Sequence, residues 1–264
     1  MIIDVHAHIF PDRLAAKAIA ALTAHPANPY KPVHDGTVAG LLQCMDEAKI
    51  DVSVALPVIT SPTQMRTANE WVQSIVSDRI IGFGGIYPHS NTYKEDINFV
   101  VGLGLKGLKF HAEYQNFILD EIKMLKIYDY ALSQGLILMH HAGYDPDFDP
   151  PFKTSPRQFL NVSRAMGGGI IIAAHLGGCD QWDDVEEYLA GSDIWLDTSM
   201  GFEYFSRDQF LRIVRKHGAD KILFATDSPW SHARTEIEHL RAMPLAPEDI
   251  DAVLGGNARR ILKI

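Results

Sequence analysis

The sequence is poor in three things, and each shortage removes a class of protein. It has only two cysteines, Cys44 and Cys179, far apart and in no CxxC pattern. Neither a disulfide framework nor a cysteine zinc cluster is expected. No apolar run approaches the roughly 18 to 20 residues of a membrane span, and strand-like sequence begins at Ile2, leaving no room for a signal peptide. A cytoplasmic chain without a membrane partner is the expectation. Basic charge is also short: 24 Lys+Arg face 33 Asp+Glu, a formal charge of -9. That argues against a phosphate-tracking surface, so a small-molecule substrate is expected and nucleic acid is not. Linkers, repeats and charge blocks are missing as well. What remains is 264 residues with 47% hydrophobic content, ordinary for a globular protein, and twelve histidines.

Short apolar runs of strand type alternate with amphipathic stretches along the whole chain. The strand candidates are Ile2 to Val5, Val52 to Leu56, Ile80 to Ile86, Gly107 to Phe110, Leu136 to Met139, Ile170 to Ala174, Ile194 to Leu196 and Ile222 to Ala225. Crossover helices are expected at Val38 to Ala48, Asn69 to Ser77, Glu121 to Ser133, Arg157 to Ala165, Val185 to Ala190 and Asp208 to Lys216. Eight such units in a chain near the usual ~250 residues predict one α/β domain over 1–264, a single (β/α)₈ TIM barrel. A doubly wound sheet is the alternative, because alternation alone does not prove closure. His25 to Gly36 and Gly143 to Pro156 read as irregular loops after strands 1 and 5. In a barrel both lie on the C-terminal face, where active sites are built. Pro247 to Ile264 reads as one or two closing helices.

The histidines cluster. Random placement would put about 0.7 of them in the two positions after each strand, yet His6, His111, His140, His141 and His175 fall there. Asp4-Val5-His6-Ala7-His8 is the strongest motif: residues two apart on a strand share a face, about 6.6 Å apart along it, so His6 and His8 can converge on one ion. Imidazole pairs suit zinc, manganese or iron(II). Asp4, on the same face one layer deeper, is expected to orient a ligand imidazole, and Val5 to face the helices. The plainer reading of the pair is two hydrogen-bonded histidines at a strand end. Asp227 ends the apolar run of strand 8, where an unpaired carboxylate is costly to bury, and strand 8 neighbours strand 1 in a closed barrel. A helix cap is its plainer role. Only one of His140 and His141 can point inward, and periodicity does not choose. Lys109 and His111 share a face opposite Leu108 and Phe110, which directs them to the barrel interior.

Taken together, the HAH of strand 1, GLKGLKFH of strand 4, HHAG of strand 5, AAHLGG of strand 6, DTS of strand 7, FATDSPW of strand 8 and terminal GGNARRIL resemble the amidohydrolase superfamily. The likeness is to the amidohydrolase-related branch that includes aminocarboxymuconate semialdehyde decarboxylase and γ-resorcylate decarboxylase, and it covers nearly the whole chain. The resemblance implies that His6, His8, His141 and Asp227 bind a divalent ion, with zinc expected and manganese the alternative. It implies that His175 handles protons beside the ion and that Lys109 and His111 contact substrate. Some superfamily members hold two ions bridged by a carboxylated lysine of strand 4. Lys109 occupies that place and His175 would then be a ligand, although this branch usually has one ion. A homodimer is compatible with the resemblance. The segment expected of the related TatD-like nucleases is missing. Cys179 follows HLGG, and a small apolar packing role suits it best.

Three functions are compatible with these residues. The leading one is hydrolysis of an amide, lactone or related bond of a small, anionic substrate, with the ion activating water and Asp227 or His175 accepting the proton. The alternative is non-oxidative decarboxylation of an aromatic or unsaturated acid. An arginine or aromatic side chain over the ring would favour it, but Arg66, Arg157, Tyr87, Phe202 and Trp230 are not placed by sequence. A non-catalytic metal-binding barrel is the third and weakest, because structural zinc sites close all four positions.

Overall fold

The computed structural model describes residues 1–26 and 28–264. Among the described residues eight strands run parallel: β1 (Ile3–Ala7), β2 (Val52–Ala55), β3 (Ile80–Gly82), β4 (Gly107–Phe110), β5 (Ile137–His140), β6 (Ile171–Ala173), β7 (Trp195–Asp197) and β8 (Ile222–Leu223). They form one run of β1-β2-β3 and one of β4 to β8. Backbone hydrogen bonds join the runs at both seams. Between β3 and β4, Gly84 N donates to Gly107 O at 2.7 Å and Lys109 N to Gly84 O at 2.9 Å. Between β8 and β1, Val5 N donates to Phe224 O at 3.1 Å and His8 N to Ser228 O at 2.6 Å. The ring is therefore closed, and the doubly wound alternative falls away.

The strands separate two apolar layers. Val54, Phe83, Ile137, Met139, Ile172, Trp195 and Leu223 pack together inside the barrel. Leu108, Phe110, Leu138, Ala173 and Leu196, from the opposite pleat faces, pack under the helices. Ala258, Ile261 and Leu262 of the last helix, Asn257–Leu262, join the inner layer beside Ile3, so the C-terminal segment closes the barrel as expected. No helix among the described residues is long and apolar enough to cross a membrane.

Strand 1 departs from the simple alternation. Asp4 pairs with Ser53, but Ala7 pairs with Ala55, so β1 carries one extra residue between them. Such a bulge puts two successive residues on one side. Val5 consequently packs in the inner layer with Val54 and Leu223 rather than against helices. Asp4 turns the other way, accepting from Thr226 Oγ1 at 2.6 Å, Thr226 N at 3.0 Å and His6 N at 3.1 Å. The expectation that Asp4 orients a ligand imidazole is thus corrected: it pins the seam between β1 and β8. Burial pushes its carboxyl up to about 7 against these hydrogen bonds.

Helices Asp12–Leu22, Tyr93–Gly102 and Ala233–Arg241 were not among the expected crossovers. The first of them, directly after β1, forms a wall of the site. Of the loop expected at His25 to Gly36, Ala27 lies outside the described residues. Asn28 and Tyr30 of that loop, and Tyr144 to Asp147 of the loop after β5, reach the mouth of the barrel.

Candidate metal centre and active site

His6, His8 and Asp227 meet at the C-terminal end of the barrel. The Nε2 atoms of His6 and His8 are 3.2 Å apart, and Asp227 Oδ1 lies 3.1 Å from the first and 3.2 Å from the second. Ligands about 2.0 to 2.2 Å from a shared ion are separated by about 3.0 to 3.5 Å, so the spacing fits a divalent cation.

The tautomers fit as well. Asp197 Oδ2, an acceptor, sits 2.9 Å from His6 Nδ1, and the Leu56 carbonyl sits 2.8 Å from His8 Nδ1. Both Nδ1 atoms therefore carry the proton, and both Nε2 lone pairs face the common point. A cation already approaches it. Lys109 Nζ donates to His6 Nε2 at 2.8 Å from a fully buried position, and burial lowers its ammonium to about 8. Burial holds the His6 imidazole well below its ordinary value, with the Lys109 charge adding to the effect. Burial alone would raise the Asp227 carboxyl, but His6 and His8 outweigh it and hold the group ionised below the usual carboxylate range.

A second set adjoins the first. His175 Nδ1 lies 3.2 Å from the Ser199 carbonyl, so it carries the proton, and Nε2 accepts from His141 Nδ1 at 3.0 Å. His141 Nε2 is left as a buried lone pair with no partner among the described residues. The His141 ring stacks on His111 with centroids 4.1 Å apart, and His111 Nε2 is 3.1 Å from Asp145 Oδ2. Burial depresses both imidazoles, keeping them neutral. His141 is thus grouped with His111 and Asp145, beside rather than within the set of His6, His8 and Asp227.

The β5 pair resolves clearly. His141 points inward, while His140 faces the helices, stacked on Phe110 at 5.0 Å with Tyr128 and Phe159 around it. Lys109 and His111 both point into the barrel. Among the histidines given no role, His89 Nε2 donates to the Gln115 carbonyl at 2.8 Å and His232 stands just before helix Ala233–Arg241 without a side-chain capping bond, and neither lines the cavity. Cys179 lines the cavity, and burial pushes its thiol up to about 12, so it is protonated and acts by packing.

The residue that sequence reading passed over is Asp197. It stands in the DTS segment of strand 7, a segment used only for the resemblance. One oxygen holds His6, and the other accepts from His175 N, Ser199 N and Ser199 Oγ at 2.9, 3.0 and 2.5 Å. His175 and Asp227 both adopt left-handed backbone, with φ of 56° and 60°. Non-glycine residues hold that conformation only where the surroundings impose it, and Asp197 does so at His175.

Comparison with known proteins decides the family. The amidohydrolase family profile matches residues 3–264. The chain belongs to the amidohydrolase family. It is an enzyme of that superfamily, which removes the non-catalytic barrel from consideration. A sequence search among curated proteins finds no match. Among solved structures, the amidohydrolase chain is similar to 5-carboxyvanillate decarboxylase from Sphingomonas paucimobilis, with a TM-score of 0.70, 16% identity and coverage of 100% of this chain and 99% of that one. It is also similar to a dihydroxybenzoic acid decarboxylase from Polaromonas sp. JS666 with bound manganese, TM-score 0.70, 15% identity, covering 99% and 96%. A probable 2-pyrone-4,6-dicarboxylic acid hydrolase from Acinetobacter baumannii has a TM-score of 0.68, 16% identity and coverage of 100% and 99%. At such identities the likeness carries the fold.

These side chains open into a cavity of about 750 Å³. Its walls are mostly apolar, with Phe10, Ile59, Trp71, Met200 and Trp230 among them. Of the five arginine and aromatic residues that sequence left unplaced, Trp230 reaches the cavity. Arg66 lies over Phe99, Arg157 over Tyr188, Tyr87 packs on His89, and Phe202 joins an aromatic cluster with Phe205 and Phe210.

Proposed function

We propose that this protein is a metal-dependent, non-oxidative decarboxylase of an aromatic or unsaturated carboxylic acid. The observation that carries this reading is the aromatic and apolar wall, Trp230 included, facing the polar end formed by His6, His8, His175 and Asp227. Such a wall takes the flat body of an acid, while its carboxylate meets the charged end. The decarboxylases among the similar structures support the same choice.

In this reading His6, His8 and Asp227 hold the ion, and His141, through its unpartnered Nε2, completes the set. Bound manganese in the Polaromonas relative supports manganese beside zinc as the metal. When bound, the ion supplies positive charge that anchors the substrate carboxylate or its neighbouring oxygen. His175 handles the proton. As the bond to the carboxyl carbon breaks, the electron pair stays on the substrate carbon and takes a proton from Nε2 of His175 in its imidazolium form, charged beforehand by a proton from solvent, and carbon dioxide leaves, returning His175 to the neutral Nδ1–H form. His141 Nδ1, hydrogen-bonded to that nitrogen, steadies the ring when the proton is gone. Lys109 and His111 contact the substrate, one domain over 1–264 carries the whole site, and the enzyme works in the cytoplasm as a monomer or homodimer.

Hydrolysis of a lactone or cyclic amide is the second reading, supported by the hydrolase among the similar structures and by the same ligand set. Turnover of a panel of hydroxybenzoates and unsaturated acids in deuterium oxide separates the two. Decarboxylation gives product with one deuterium on the carbon that lost carbon dioxide. Acid release from lactones or cyclic amides, with no carbon dioxide from any acid, would establish hydrolysis instead.

A further inference from the structure

The cavity is larger than one ring requires. A pocket of about 150 Å³ holds benzene, and this one measures about 750 Å³. Helix Asp12–Leu22 contributes Leu14, Ala18, Ala21 and Leu22 to its lining, together with Pro57 to Ile59 and Trp71. Leu14 is 43% exposed, an apolar side chain that the fold leaves for something else to cover.

Two cations stand on the same helix. Arg13 and Lys17, four residues apart and both exposed, line this part of the cavity. The other charged groups of the wall are engaged: Lys109 with His6, Asp145 with His111, Asp147 with Tyr114 Oη at 2.6 Å, and Asp227 with His6 and His8. Among the described residues Arg13 and Lys17 have no hydrogen-bond acceptor and no carboxylate partner. Their placement is unfavourable by itself. Like charges four apart on a helix repel, and Arg13, in the first turn, opposes the helix dipole. An anion between them offsets both effects.

We infer that Arg13 and Lys17 form a distal anion subsite, and that the substrate is an elongated acid with a second anionic group at the far end of an apolar body. The inference rests on the reading that an organic acid binds at the metal end of this cavity. One charged end meets the ion, the apolar body covers Leu14, Ala18 and Trp71, and the other end meets the cation pair. The subsite sets which acid is accepted and takes no part in bond breaking.

The test is calorimetry on the full-length, manganese-loaded protein with straight-chain diacids from adipate to sebacate, each against the monoacid of equal length. At low salt at least one diacid should bind about tenfold more tightly than its monoacid, as expected for two exposed charge pairs. The R13Q/K17Q variant should lose that preference while keeping its monoacid affinity, with a melting temperature no lower than the parent's. The R13E/K17E variant should favour the monoacid. Equal binding of every diacid and monoacid, or a preference that survives in R13Q/K17Q, overturns the subsite alone. Absence of binding by any acid overturns both the subsite and the decarboxylase reading.

Discussion

Asp197 Oδ2 lies 2.9 Å from His6 Nδ1, inside the barrel and out of reach of solvent. This contact fixes the tautomer that directs His6 Nε2 toward His8 and Asp227, and the same carboxylate holds the backbone of His175. Substituting Asp197→Asn keeps the shape but loses the charge that makes His6 a strong donor. Metal affinity should fall by about 10- to 100-fold, the usual cost of removing a carboxylate behind a ligand histidine. Isothermal titration with manganese or zinc measures it, and an unchanged affinity would mean that Asp197 serves only the barrel.

His175 should behave differently. The His175→Asn variant is expected to bind metal like the parent and to lose about 10²- to 10⁴-fold in turnover, the range of a lost proton donor. Metal content by mass spectrometry and the rate of product formation give the two halves of the answer. Loss of metal in this variant would instead make His175 a ligand, with Lys109 bridging two ions.

The adjacent histidines of β5 give opposite expectations. His141→Ala should lower metal affinity, because the proposal counts its unpartnered Nε2 as a ligand. Full metal content in that variant would leave the ion to His6, His8 and Asp227. His140→Phe should keep both metal and activity. Burial holds His140 down at about 3 from an ordinary 6.5. Between those values the unfolded chain gains a proton that the folded chain refuses, so stability falls as pH falls from 6.5 toward 3. Removing the imidazole should therefore recover about 2 kcal/mol at pH 5, read from urea unfolding at pH 5 and pH 8.

Glu236 is a similar case of opposite sign. It is buried, its Oε2 has no partner among the described residues, and burial with the nearby Glu203 and Asp4 charges raises its carboxyl to about 8. The folded state holds a proton that the unfolded state has released above an ordinary 4.5. Stability is therefore lost as pH rises from 4.5 through 8. Glu236→Gln should add about 4 kcal/mol at pH 8 and almost nothing at pH 4. A gain of equal size at both values would point to packing rather than charge.

Much of this architecture was legible in the chain. Short apolar runs between helical stretches located all eight strands, and the inward pair Lys109 and His111 followed from the apolar Leu108 and Phe110 beside them. Alternation failed at β1 because a bulge costs one residue and leaves no mark in composition; only the register against Val52 to Ala55 reveals that Asp4 and His6 face apart. Asp197 escaped because a carboxylate at a strand end looks the same whether it caps a turn or holds a histidine. His140 and His141 needed the fold, since one pleat step decides which is solvated by the site and which is enclosed by Phe110 and Tyr128. The helix carrying Arg13 and Lys17 escaped because its periodic face lines an open cavity and not a packed core.

The central claim is that a divalent ion held by His6, His8 and Asp227 drives loss of carbon dioxide from an organic acid. Carbon dioxide release from the best acid of the panel, followed before chelation, after chelation and after manganese or zinc is restored, tests it most directly. The account predicts release by the loaded enzyme, its loss on chelation, recovery on metal return, and no recovery in Asp227→Asn. Equal release by the chelated and loaded enzymes would contradict it.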